Sequence, residues 1–283
     1  MLATVQLLNG LTFAALLFLV ASGFTLVFGL MRIVNLAHGA MYLVGGYTAY
    51  SVATATSSLL AGIVAAAALV ALLGLVEQAL LRFVAGHELR QVLLTLGLGL
   101  IINDAALVIF GGDTLNVPIP DWLQGPLQVG GLYYPRYRLF VLGVGVLVFV
   151  LLWLTVNRTR LGALIRAGVD DAETVQAMGI NIRVVFVATF LLGMALAGIA
   201  GALGGAFLSL YPTADSEILV YSLAVVIIGG RGSLVGAALG SLAVALLSTF
   251  GQVWFPELSY FVIFGPMALL LAFRPHGLFG RTA

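Results

Sequence analysis

Apolar residues fill this chain in long blocks, separated by short polar interruptions. A helix needs roughly 20 mainly apolar residues to cross a bilayer. Blocks of that kind cover residues 5–29, 33–55, 57–81, 91–111, 139–157, 184–210, 218–230, 234–251 and 259–273. The pattern predicts an all-α, polytopic integral membrane bundle of about eight to nine transmembrane segments in one domain, residues 1–283. Two blocks are irregular. Residues 33–55 contain Asn35, His38, Gly45 and Gly46, which suits a broken or re-entrant segment, and residues 218–230 are short.

Charge then orients the pattern. With nine crossings and the N-terminus outside, ten of the 12 Arg fall on one side, and only Arg136 and Arg138 fall on the other. That bias predicts a multi-pass inner-membrane protein with a cytoplasmic C-terminus. No positive residue precedes the first block, which is longer than a signal-peptide core, so that block is expected to be a retained span. The extracytoplasmic loop 112–138 holds Pro118, Pro120, Pro126 and Pro135, a density that suits turns and short extended pieces. Pro266 lies inside the last block and should kink it.

Composition removes whole classes of function. Only 8% of residues are charged and mean hydropathy is +1.16, too little polar surface to coat a water-soluble domain. Cysteine and lysine are absent, which excludes thiol, Schiff-base and P-loop lysine chemistry. His38, His87 and His276 are widely spaced, so no catalytic or metal-ligating set is expected, and no cofactor. A net charge of +1 points to no nucleic acid.

Three groups of residues carry the candidate chemistry. Asn35, His38, Asn103 and Asp104 are polar inside apolar blocks. A carboxylate there costs about 3 kcal/mol unless it faces protein or water, so these are translocation-path candidates or buried hydrogen-bond centres. Glu77, near the inner end of its block, is expected to snorkel outward. Small residues recur at every fourth position in Gly193, Ala197, Gly201, Gly205, Ser209 and in Gly232, Gly236, Gly240, a pattern that lets helices pack closely in lipid. The longest inside loop, 158–183, holds Arg166, Ala167, Asp170, Asp171, Glu173, Ala177 and Gly179. Asp170 or Asp171 would cap a helix of about two turns and Gly179 would end it, a grip for a cytoplasmic motor.

That loop, with Arg160-Leu-Gly162, Arg166-Ala167 and Gly179-Ile-Asn181, resembles branched-chain amino acid ABC transporter permeases of the LivH/LivM type. So do Asn9-Gly10-Leu11, Gly29-Leu-Met-Arg32-Ile-Val-Asn35-Leu-Ala-His38-Gly39, Gly229-Gly-Arg231-Gly-Ser233 and Arg274-Pro-His-Gly277. LivH is the nearer of the two. Where that family commonly has Glu after the His-Gly pair, this chain has Ala40. The resemblance implies an ABC importer permease fold forming half of a pore. Its partners would be two cytoplasmic ATPase subunits docked on 158–183, a second, LivM-like permease and an extracytoplasmic solute-binding protein. No GxxxxGK[ST] motif is present, so the chain supplies no Walker A site of its own. Branched-chain amino acids are the implied cargo, with urea or short amides the alternative. An ion-coupled secondary transporter is the rival mechanism.

Overall fold

The computed structural model describes residues 2–31, 34–129, 131–170, 172–230, 232–274 and 277–279. Each of the nine apolar blocks carries one helix: α1 (Leu2–Met31), α2 (His38–Thr56), α3 (Leu59–Phe83), α4 (Glu88–Phe110), α5 (Arg136–Arg158), α8 (Ile182–Phe207), α9 (Ala214–Gly229), α10 (Leu234–Trp254) and α11 (Ser259–Phe273). Two more helices, α6 (Arg160–Asp170) and α7 (Ala172–Ala177), lie between α5 and α8. Six of these helices, α1, α3, α4, α5, α8 and α10, are long and apolar enough to cross a membrane. The Pro-rich stretch before α5 forms a short 3-10 turn at Asp121–Leu123 and an antiparallel hairpin, β1 (Pro126–Val129) with β2 (Leu132–Pro135). Turns and extended pieces were expected there. The helix α6 was not, and its Arg residues explain why residues 160–170 read as loop.

Helices α1 and α8 form the centre. The first packs against α5, α8, α9 and α10, and the second against α1, α2 and α3. Around them, α3, α4 and α5 turn large apolar side chains outward, among them Leu60, Val76, Leu100, Val108 and Leu147. A soluble protein does not expose contiguous surface of that kind. The chain is a multi-pass membrane protein whose outer face is matched to lipid.

Lipid gives helices no hydrophobic reason to associate, so close backbone approach and van der Waals contact must hold them. The glycine series lies at those approaches. A Cβ on Gly193 would sit 2.8 Å from the Gly23 carbonyl oxygen, one on Gly205 2.7 Å from Val117, and one on Gly240 2.5 Å from the Val225 oxygen. Gly201 meets the Tyr42 carbonyl, Gly236 meets that of Gly229, and Gly232 faces Gly29 across the ends of α1 and α9. Gly45 of α2 and Gly198 of α8 approach so closely that a Cβ on the former would lie 2.6 Å from the latter's Cα.

A side chain at Gly201 would press on backbone, which cannot yield as a flexible side chain can. Gly201→Ala is expected to destabilise the protein by about 1–3 kcal/mol, the usual range for overpacking. Gly97→Ala, where nothing lies within 4 Å, should be neutral or stabilising. Melting of the two purified variants in detergent checks the contrast.

Candidate functional site

At one end of the bundle, α6 and α7 fold back onto the start of α8. Leu164, Ile165, Ala167, Val175, Ile180, Ile182, Val185 and Phe186 form a small apolar cluster that fixes them there. The Thr159 hydroxyl accepts the Gly162 N–H at 3.2 Å and so starts α6. The Arg166 guanidinium donates to the Val156 carbonyl in the last turn of α5, where a cation suits the negative end of the helix. Gly179, at φ +82°, ends α7. The Gly179 N–H reaches the Gln176 carbonyl at 2.9 Å and the Ile180 N–H reaches that of Val175 at 3.4 Å, a Schellman arrangement. Ala177 and Met178 remain exposed at the tip. Asp171 and the side chains of Asp170 and Glu173 lie outside the described residues.

The middle of the bundle is polar where two chain segments leave helical geometry. Residues 34–37 turn back from the end of α1 into the interior. The Thr95 hydroxyl of α4 accepts the Leu36 N–H at 3.2 Å, and Asn35 Oδ1 accepts the Ala37 N–H at 2.9 Å. His38 opens α2, fully buried, with Nε2 donating to the Val20 carbonyl at 3.0 Å and Nδ1 without a partner among the described residues. Val20 lies eleven residues before Met31, so α2 begins about 16 Å inside the end of α1. The second segment, 208–213, enters from the opposite end and leads into α9. There Asn103 Nδ2 donates to Asp215 Oδ1 at 2.9 Å, and Gly39 abuts the Asp215 backbone oxygen. The first turns of α2 and α9 therefore meet inside the bundle.

Glu77 does not snorkel. It shares a buried face of α3 with Val70, Gly74 and Leu81, and Gly74 seats that face on Met194 of α8. The phase of the helix thus turns the carboxyl inward, next to the Asn35 side chain, although neither Glu77 oxygen nor Asn35 Nδ2 finds a partner of hydrogen-bonding geometry. Asp104 takes the opposite course and is exposed on the outer face of α4.

At the end away from the α6–α7 hairpin lies a cavity of about 360 Å³, within the range of small-ligand sites. The starts of α1, α5 and α9 and the ends of α8 and α10 surround it. Arg138 and Glu217 both line it, together with Asn9, Tyr42, Tyr211 and Gln252. About 30 Å of α5 separates Arg138 from the hairpin.

The sequence profile described as "Branched-chain amino acid transport system / permease component" matches residues 6–271. The chain belongs to that permease family. It is 30% identical to the high-affinity branched-chain amino acid transport system permease protein BraD of Pseudomonas aeruginosa, over 98% of this chain and 95% of BraD. It is 27% identical to LivH of Escherichia coli K12 over the same shares. It is also 27% identical to the ribose import permease protein RbsC of that organism, over 90% of this chain and 80% of RbsC. No solved structure matches the chain.

In this permease the residues singled out from sequence fall in separate places. Asn35 and His38 share the middle of the bundle with the Asn103–Asp215 pair, while Asp104 faces away from them. Sequence reading missed the cavity pair. Arg138 had one visible signal: with Arg136 it breaks the one-sided distribution of arginine.

Thr95→Val keeps the shape of the side chain but strands the Leu36 amide. It is expected to destabilise the permease by about 1–3 kcal/mol, the cost of an unsatisfied buried donor. Thr95→Ser should retain most of the stability, and thermal unfolding in detergent measures both.

Proposed function

We propose that this permease forms half of the translocation pore of an ABC importer for branched-chain amino acids, driven by separate ATPase subunits that dock on the α6–α7 hairpin. The family match along residues 6–271 carries this reading. The hairpin supports it: a short, capped element tied by an apolar cluster to the foot of a central helix is the kind of handle an external motor can turn. The bias of ten arginines to one side supports a cytoplasmic hairpin and an outside N-terminus. A solute-binding protein then delivers its load at the opposite end, where the cavity lies.

The second permease packs against α4. Leu93, Leu100, Ile101 and Val108 form an exposed apolar stripe on that helix with Asp104 in its midst. In lipid that carboxylate would cost about 3 kcal/mol, so protein or pore water faces it in the assembly. A LivM-like relative is the partner proposed. A photo-crosslinking residue at Ile101 is expected to capture the second permease, and capture of lipid alone would remove α4 from the interface.

The central test is affinity purification in detergent followed by reconstitution. An ATPase pair should co-purify, and leucine uptake into vesicles should need ATP and survive collapse of ion gradients. Ala167→Arg, which puts a charge into the apolar cluster, and Gly179→Pro, which cannot adopt a positive φ, should lower uptake to background while membrane insertion persists. Normal uptake by both variants would take the hairpin out of the mechanism.

A further inference from the structure

We infer that the cavity between the starts of α1, α5 and α9 is a transit site for a zwitterionic α-amino acid, with Arg138 receiving its carboxylate and Glu217 its ammonium. The inference rests on the amino-acid importer reading and assigns the residues that would handle the cargo.

The two charges line one cavity but do not neutralise each other. Among the described residues, the Arg138 side chain bonds only Asn9 Oδ1 and lies 5.0 Å from the centre of the Phe207 ring, while the Glu217 carboxylate bonds only the Tyr211 hydroxyl. Each charge is thus held from behind by a neutral neighbour, with donor or acceptor capacity left over. A guanidinium has five donors and a carboxylate about four acceptor positions, so one bond exhausts neither. A neutral sugar or urea needs no such separated pair; an amino acid matches both halves of it.

One wall of the cavity fits an aliphatic side chain. Phe13 and Tyr221 meet edge to face at 5.5 Å, and Ile218 and Val253 extend that wall. Tyr42, fully buried, also lines the cavity, and among the described residues its hydroxyl has no hydrogen-bond partner. That hydroxyl lies against α8, where Gly204 leaves room for it. A site of this kind should bind weakly, because a transported solute must also leave it.

The chain has no cysteine, so a single reporter can be placed in the cavity. With Thr249→Cys in the full importer in nanodiscs, millimolar L-leucine should slow modification by a small methanethiosulfonate reagent. N-acetyl-leucine and leucine amide, each lacking one charge, should not. Adding Arg138→Gln or Glu217→Gln should raise the protecting leucine concentration about 10- to 100-fold, the loss of a hydrogen bond to a charged group. An unchanged modification rate without leucine shows that the cavity is intact in each variant. If leucine gives no protection, or both analogues protect equally well, the site is wrong. ATP-dependent leucine uptake by the parent importer is scored separately. Uptake without protection overturns the site alone, and protection without uptake overturns the importer reading alone.

Discussion

Inside a bilayer the backbone has no water to bond, so it can leave helical geometry only where protein supplies the missing partners. Much of this structure follows from how that condition is met at residues 34–38. Thr95 holds the Leu36 amide, Asn35 holds that of Ala37, and the Val20 carbonyl holds the His38 ring. These bonds let α2 start midway along α1 instead of at its end. The early glycines of α2 then reach α8, and Gly39 meets the first turn of α9. A continuous helix over residues 33–55 would place Tyr42 nearer the end of α1 and away from the cavity.

The fold was largely legible from the sequence because block length and hydropathy follow directly from bilayer thickness. Each apolar block became one helix, and Gly179 ended α7 as its conformational freedom suggests. The irregularity of residues 33–55 could be read from Asn35 and His38, but not its partners, since Thr95 and Val20 belong to other helices. The inward turn of Glu77 depends on the phase of α3 against Met194, which hydropathy does not encode. Arg138 and Glu217 are far apart in sequence, and nothing local to either says that they share a cavity. Helix α6 was hidden by its own amphipathic mixture of Arg160 and Arg166 with Leu161, Leu164 and Ile165.

The polar groups of the interior lie at different depths. Arg138, Glu217 and Tyr42 line the cavity at one end. His38 and the Asn103–Asp215 pair occupy the middle. Asn35 lies there too, with Glu77 beside its side chain, and among the described residues several of these atoms lack partners. Unpaired buried polar groups are costly, and a fold that needed only stability could replace them with apolar ones. Their succession from one end of the bundle toward the other is what a route for a polar solute requires.

The hairpin and the cavity are joined by one element. Helix α8 begins at Ile182, inside the apolar cluster that anchors α6 and α7, and continues unbroken to Phe207. Its 26 residues span about 39 Å. Near the far end Gly201 and Gly204 bear on Tyr42, which lines the cavity. A tilt imposed at the hairpin therefore reaches Tyr42 through a rigid rod, and the glycine contacts leave no soft side-chain layer to absorb it. Because a packed contact of this kind has few alternative arrangements, moving α8 must either carry α2 along, against its Gly39–Asp215 junction with α9, or part Gly201 from Tyr42. Either change alters the cavity wall at Tyr42, so a tilt at the hairpin would be felt there.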